Sequence, residues 1–159
     1  MDSRILTLLE KNAKLTPENI AAMLDISVEE VEKEIKEFEN NKTILGYKAI
    51  VDWDKVENDK VTALIEVKVS PSKGEGFDKV AERIIAHPEV KSAMLMSGGF
   101  DIALTVEGKT MKDIAYFVAE KLSPIESVLS TATHFILKKY KYEDEIFTKE
   151  EDEPELLEI

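Results

Sequence analysis

The amino-acid sequence predicts an α+β chain, with helices first and a domain of interleaved strands and helices after them. Two observations carry this. Residues 16–38 read as two short helices joined by a tight turn, each with an apolar face to share, which is a helix-turn-helix. From Val61 onward, strand and helix periodicities follow in the order β-α-β-β-α-β, the split βαβ or ferredoxin-like arrangement. The 159 residues therefore divide into a winged-type helix-turn-helix domain at 1–50, a linker at 51–60, a ferredoxin-like domain at 61–142 and an acidic tail at 143–159.

The first helix lies within Asp2–Asn12 and offers Ile5, Leu8 and Leu9 to the interior, with Leu15 beneath the second helix. Thr16 suits the N-cap of that second helix, and Pro17 its first position, where a missing N–H does no harm. Ile20, Ala21 and Leu24 form its stripe before the turn at Asp25-Ile26. Ser27 then opens a third helix, with Glu30 at capping-box spacing. Val28, Val31, Ile35 and Phe38 recur at helical spacing on one face of it. Past Gly46 the run Tyr47–Val51 is expected to be extended.

In the second part, Val61, Ala63, Ile65, Val67 and Val69 alternate with Thr62, Leu64, Glu66 and Lys68, the pattern of a half-buried strand. The loop at 70–76 leads to a helix with the stripe Phe77, Val80, Ala81, Ile84 and Ile85, stopped by His87-Pro88. Residues 90–96 and 101–107 read as a strand pair around Gly98-Gly99. Thr110 and Asp113 start a last helix that carries Met111, Ile114, Ala115, Val118 and Leu122. A long strand at 128–140 closes the domain. Both helices should cover one face of the sheet, leaving the other, with Leu64 and Ile136, in need of a partner.

Composition narrows the function classes. The chain has no cysteine and only His87 and His134 as histidines, so disulfides, thiolate sites and histidine-rich metal sites are not expected, and no cofactor is implied. No apolar run approaches a membrane span and no signal-peptide pattern opens the sequence, which suits a cytoplasmic protein. The net charge of −12 is concentrated at one end: the last 17 residues carry nine acids and one lysine, whereas residues 51–142 are nearly neutral.

A helix-turn-helix, a connecting strand and β-α-β-β-α-β within residues 1–142 resemble the Lrp/AsnC, or feast/famine, regulators of bacteria and archaea. The marks are Ile5-Leu6 and Leu8-Leu9, Ser27-x-x-x-Val31-x-x-x-Ile35, Ile44-x-Gly46-Tyr47, and above all Gly98-x-x-Asp101. The resemblance implies a transcriptional regulator, not an enzyme, that binds double-stranded DNA and assembles as a homodimer, sometimes a tetramer or octamer. It also implies a small effector, usually an amino acid, bound near the Gly98–Asp101 turn at a subunit contact. Gly98 and Gly99 would present backbone N–H groups to a carboxylate, and Asp101 would meet the α-ammonium. Thr131 and Thr133, on the last strand, would complete the pocket from a neighbouring subunit.

The third helix departs from the family pattern. The position before Ile35, usually Arg or Lys, is Glu34, and Val28–Glu39 holds six glutamates and two lysines. DNA contact falls to Ser27, Glu29, Lys33, Lys36 and Asn40, with phosphates taken by the lysines and an acid able to accept from cytosine. Glu29–Lys33 and Glu32–Lys36 are equally i,i+4 pairs of a solvated helix. Two other classes therefore stay open on the residues: a ligand-binding or assembly module that no longer reads DNA, and an enzyme like the siroheme decarboxylases, which share this architecture. The latter would need more histidines and cations than this chain has.

Overall fold

The computed structural model describes residues 2–147 except 57, 58 and 71. The chain forms two compact units that divide between Val51 and Asp52.

The first unit contains α1 (Ser3–Lys11), α2 (Pro17–Leu24) and α3 (Val28–Asn40). Each start is capped as its local sequence dictates. The Asp2 carboxylate accepts from Arg4 N, and Thr16 and Asn19 exchange reciprocal side-chain bonds with Pro17 at the first turn. At Ser27 the hydroxyl accepts from Glu30 N at 3.2 Å. Asp25 ends α2 in the left-handed region (φ 56°), a conformation short polar residues tolerate, and this makes the tight turn. Ile5, Leu9, Ile20, Ala21, Val31 and Phe38 form the core, with Leu15, Val28, Ile35 and Ile44 packed against it. Burial of each large side chain here is worth about 1.5–3 kcal/mol, so three short helices, each marginal alone, hold one another in place. The expected run Tyr47–Val51 carries no strand in this chain. Its side chains are exposed, and no wing ladder forms within the described residues of this unit.

The second unit opens with a 3-10 turn, Trp53–Lys55. It continues with β1 (Val61–Val69), α4 (Gly76–Ile85), β2 (Val90–Leu95), β3 (Ile102–Gly108), α5 (Met111–Phe117) and β4 (Val128–Phe135). The strand order is β2-β3-β1-β4, and every neighbouring pair is antiparallel. Val118–Leu122 continues α5 as a π-type turn. Ala63, Ile65, Val67, Leu104 and Val106 face Val80 and Ile84 of α4 and Ile114 and Phe117 of α5, forming a core that excludes water. Two expected apolar positions of α4 fall outside it. Phe77 and Ile85 are exposed, because α4 meets the sheet through Val80 and Ile84 with Ala81 beside them.

The end of the domain differs from the expectation. The strand anticipated to Tyr140 stops at Phe135, and Lys141–Tyr142 (β5) then pairs with Glu145–Ile146 (β6). Glu143 and Asp144 both take positive φ (46° and 66°), as a two-residue primed hairpin turn requires. Phe147 N closes the hairpin on Tyr140 O at 3.0 Å. Residues 143–147 are therefore part of the fold and not of the tail placed at 143–159. The rest of that tail lies outside the described residues.

Candidate DNA-reading helix and effector turn

α3 presents its polar residues in sorted groups. Glu29, Lys33, Lys36 and Asn40 recur at i, i+4, i+7 and i+11, which puts them on one exposed stripe opposite the buried Val31 and Phe38. Lys33, Lys36, Glu37, Asn40 and Asn41 line an open groove of about 480 Å³ along this face. Ser27 is at the head of the helix, with its hydroxyl committed to the cap. All five expected DNA contacts are thus exposed on α3, and four share one stripe.

The acids that made the helix look unsuited to DNA are mostly on its flanks. Glu34 is half-buried and accepts a hydrogen bond from Asp2 N at 2.5 Å. Arg4 donates to the Asp2 carboxylate and holds it below the usual carboxylate range, while the charge of Glu30 also acts on Arg4. On the opposite flank Glu39 accepts from the Tyr47 hydroxyl at 3.0 Å. Burial, then that bond, raises the Tyr47 pKa. Neither contact was visible from spacing along α3 alone, because both partners lie beyond the helix, in α1 and in the segment after Gly46.

In the second unit the turn between β2 and β3 is fastened to β1. Asp101 N donates to Val67 O at 3.0 Å, the Asp101 carboxylate accepts from Val69 N at 2.7 Å, and Met96 N donates to Asp101 O at 2.8 Å. Gly98 has φ 133°, which side chains rarely adopt, so glycine is needed there. Gly98 and Gly99 are exposed at the tip. The two threonines are across the sheet from this turn. Thr131 lies opposite Val67 and Thr133 opposite Ile65, both half-buried on β4. Within one chain the expected effector residues therefore form two groups with β1 between them.

Sequence reasoning did not single out a cleft of about 150 Å³ between α4 and β2, where Phe77, Ala81 and Ile85 face Ala93 and Leu95. Its signal was present: the α4 stripe held more apolar residues than one ridge can bury. The two histidines are apart. His87 packs edge-on to Phe117 (ring centres 5.7 Å apart), and His134 Nε2 lies 3.7 Å from Glu66 on the helix-free face of the sheet. Among the described residues no group of acids and histidines is placed to hold a metal ion, and no helix is long and apolar enough to cross a membrane.

The profile of the Lrp/AsnC ligand binding domain matches residues 62–146. The chain is also 45% identical over 157 residues to YugG of Bacillus subtilis, described as an uncharacterized HTH-type transcriptional regulator, covering 98% of this chain and 95% of that one. The chain belongs to the Lrp/AsnC family of transcriptional regulators. Its relatives are regulators and not enzymes. An AsnC family regulator from Agrobacterium tumefaciens superposes with a TM-score of 0.70 at 25% identity, covering 92% of this chain and 96% of that one. A transcriptional regulator from Neisseria meningitidis, solved as a complex with L-Met, has the same fold (TM-score 0.68, 24% identity, covering 89% and 93%). The helical unit ahead of an α/β ligand-binding domain is thus the arrangement of AsnC structures, as expected from the order of elements. The Lrp/AsnC match also takes in the β5–β6 hairpin, in agreement with its place in the fold.

Proposed function

We propose that this Lrp/AsnC regulator reads duplex DNA through α3 as a homodimer and is tuned by an amino acid at the Gly98–Asp101 turn. The observation that carries the DNA reading is the exposed stripe Glu29, Lys33, Lys36 and Asn40 on the second helix of a helix-turn-helix, the element that enters the major groove in this motif. Lys33 and Lys36 neutralise phosphates, and Asn40 and Glu29 offer hydrogen bonds to adenine and to cytosine N4. Ser27 places the helix N-terminus, whose N–H groups favour a phosphate.

The dimer is supported by the helix-free sheet face. Leu64 and Ile136 are each about 40% exposed there (38% and 41%), and Met94 is 52% exposed. A partner's matching sheet would cover them. The effector reading is supported by the exposed Gly98-Gly99 backbone, the anchored Asp101 beside it, and the L-Met complex of the Neisseria regulator. Thr131 and Thr133 then complete the site from a neighbouring subunit, which suits their separation from the turn within one chain. Mapping genomic fragments retained by the purified protein, with and without each of the twenty amino acids, tests all three parts. Enrichment of a two-fold symmetric site whose occupancy one amino acid changes is expected; retention no better than chance under every condition would overturn the reading.

A further inference from the structure

The acids of α3 do two different jobs, and Glu34 is the clearest case. Its carboxylate is on the flank that faces the start of α1, half-buried, and accepts from Asp2 N at 2.5 Å. Asp2 in turn caps α1 by accepting from Arg4 N at 2.9 Å, and both its carboxylate oxygens bind the Arg4 guanidinium. Glu30 lies one turn before Glu34 on the same flank. A chain of charge-assisted contacts, Glu34–Asp2–Arg4, therefore ties the first turn of α1 to α3 at Glu34. Charge-assisted bonds are about twice as strong as neutral ones, and they fix the angle between the groups they join.

From this we infer that Glu34 is a positioning residue for DNA recognition: it holds α3 against the start of α1 so that the Lys33, Lys36 and Asn40 stripe is aimed at the groove, and it does not itself face DNA. The inference rests on the reading of α3 as the DNA-facing helix. Its physical content is a division of labour across about one third of the helix circumference. Lys33, immediately before Glu34, points outward because 100° separates successive residues, and the same step turns Glu34 toward α1. An acid beside the recognition surface is therefore tolerated because its carboxylate is turned to the Asp2 N–H and not to the phosphate backbone. A cation at the same position would offer the Asp2 N–H no acceptor.

The test is a set of full-length variants, Glu34→Gln, Glu34→Ala and Glu34→Arg, measured for melting temperature and for nonspecific duplex affinity across salt. Glu34→Gln keeps an acceptor oxygen and should retain most of the stability and affinity. Glu34→Ala should lower the melting temperature by roughly 3 °C. It should also weaken duplex binding by roughly fivefold, the scale of a single lost anchor. Glu34→Arg should melt no higher than Glu34→Ala and leave the salt slope unchanged. The opposite pattern would overturn the inference: all three variants equally stable, with Glu34→Arg binding more tightly and steepening the slope by about 0.9, as one new phosphate contact does. If the wild type binds no duplex, the DNA reading fails, while the order of melting temperatures still decides whether Glu34 is an anchor.

Discussion

The Asp101 carboxylate accepts the Val69 backbone N–H at 2.7 Å and thereby fastens the β2–β3 turn to the end of β1. The β1–β3 ladder ends at Val67–Ile102, so without Asp101 the Val69 N–H would have no ladder partner on that side. Replacing Asp101 by Ala should cost about 1–3 kcal/mol, the penalty for stranding a largely buried donor. Denaturant unfolding measures this. Asp101→Asn keeps an acceptor and should lose less, so effector binding is best compared between wild type and Asp101→Asn. A fully stable Asp101→Ala protein would show that the bond is incidental.

A second prediction concerns acid. The Lys121 ammonium, bound to Glu89, holds the Glu89 carboxyl below the usual carboxylate range. A carboxyl depressed in the folded state contributes stability above its unfolded pKa and loses it as pH falls through the folded value. The contribution should thus be intact at neutral pH and fade below about pH 4, the ordinary glutamate range. Lys121→Met should reduce the difference in stability between pH 7 and pH 3. The two side chains are 44% and 27% exposed, so solvent screening keeps the effect small, within about 1 kcal/mol. An unchanged pH profile in Lys121→Met would remove Glu89 from the account of acid stability.

The sheet face away from the helices gives a third prediction. Leu64 lies between Thr105 and His134 there, and Glu66 lies between Ala103 and Ala132, so small neighbours leave room for a partner's side chains. Leu64→Lys should dissociate the dimer with little effect on the monomer fold, because Leu64 makes no part of the helix-covered core. Light scattering at micromolar concentration reads this directly. A monomeric wild type would contradict the proposed assembly, and a dimeric Leu64→Lys would move the interface elsewhere.

How much of this was legible in the sequence follows the physics of each signal. The three helices and their caps were readable because Thr16, Pro17, Ser27 and the stripe Val28, Val31, Ile35 and Phe38 act over a few residues. The order of elements was readable because strand and helix periodicities alternate cleanly from Val61 onward, and the exposure of Leu64 followed from alternation along β1. The β5–β6 hairpin was missed because its turn is Glu143-Asp144 in place of the usual glycine-containing pair, and because the acids around it read as the start of a charged tail. The role of Glu34 was missed for another reason. Its partner is a backbone N–H 32 residues away, and no periodicity reports a contact of that kind.

The same distinction bears on charge. Six glutamates on α3 suggested repulsion from DNA, yet Glu34 and Glu39 have intramolecular partners. The outward face carries Lys33 and Lys36 against Glu29 and Glu37. Its local charge is therefore far less negative than the helix composition implies.

The salt dependence of duplex binding by wild type and by the Lys33→Ala/Lys36→Ala double variant tests the central claim most directly. If α3 carries the DNA contact, log affinity should fall linearly with log salt in the wild type. The double variant should bind more weakly at low salt, with a slope shallower by about 1–2 units, roughly 0.9 for each lost phosphate contact. Equal slopes and equal affinities in the two proteins would contradict the placement of DNA on this helix.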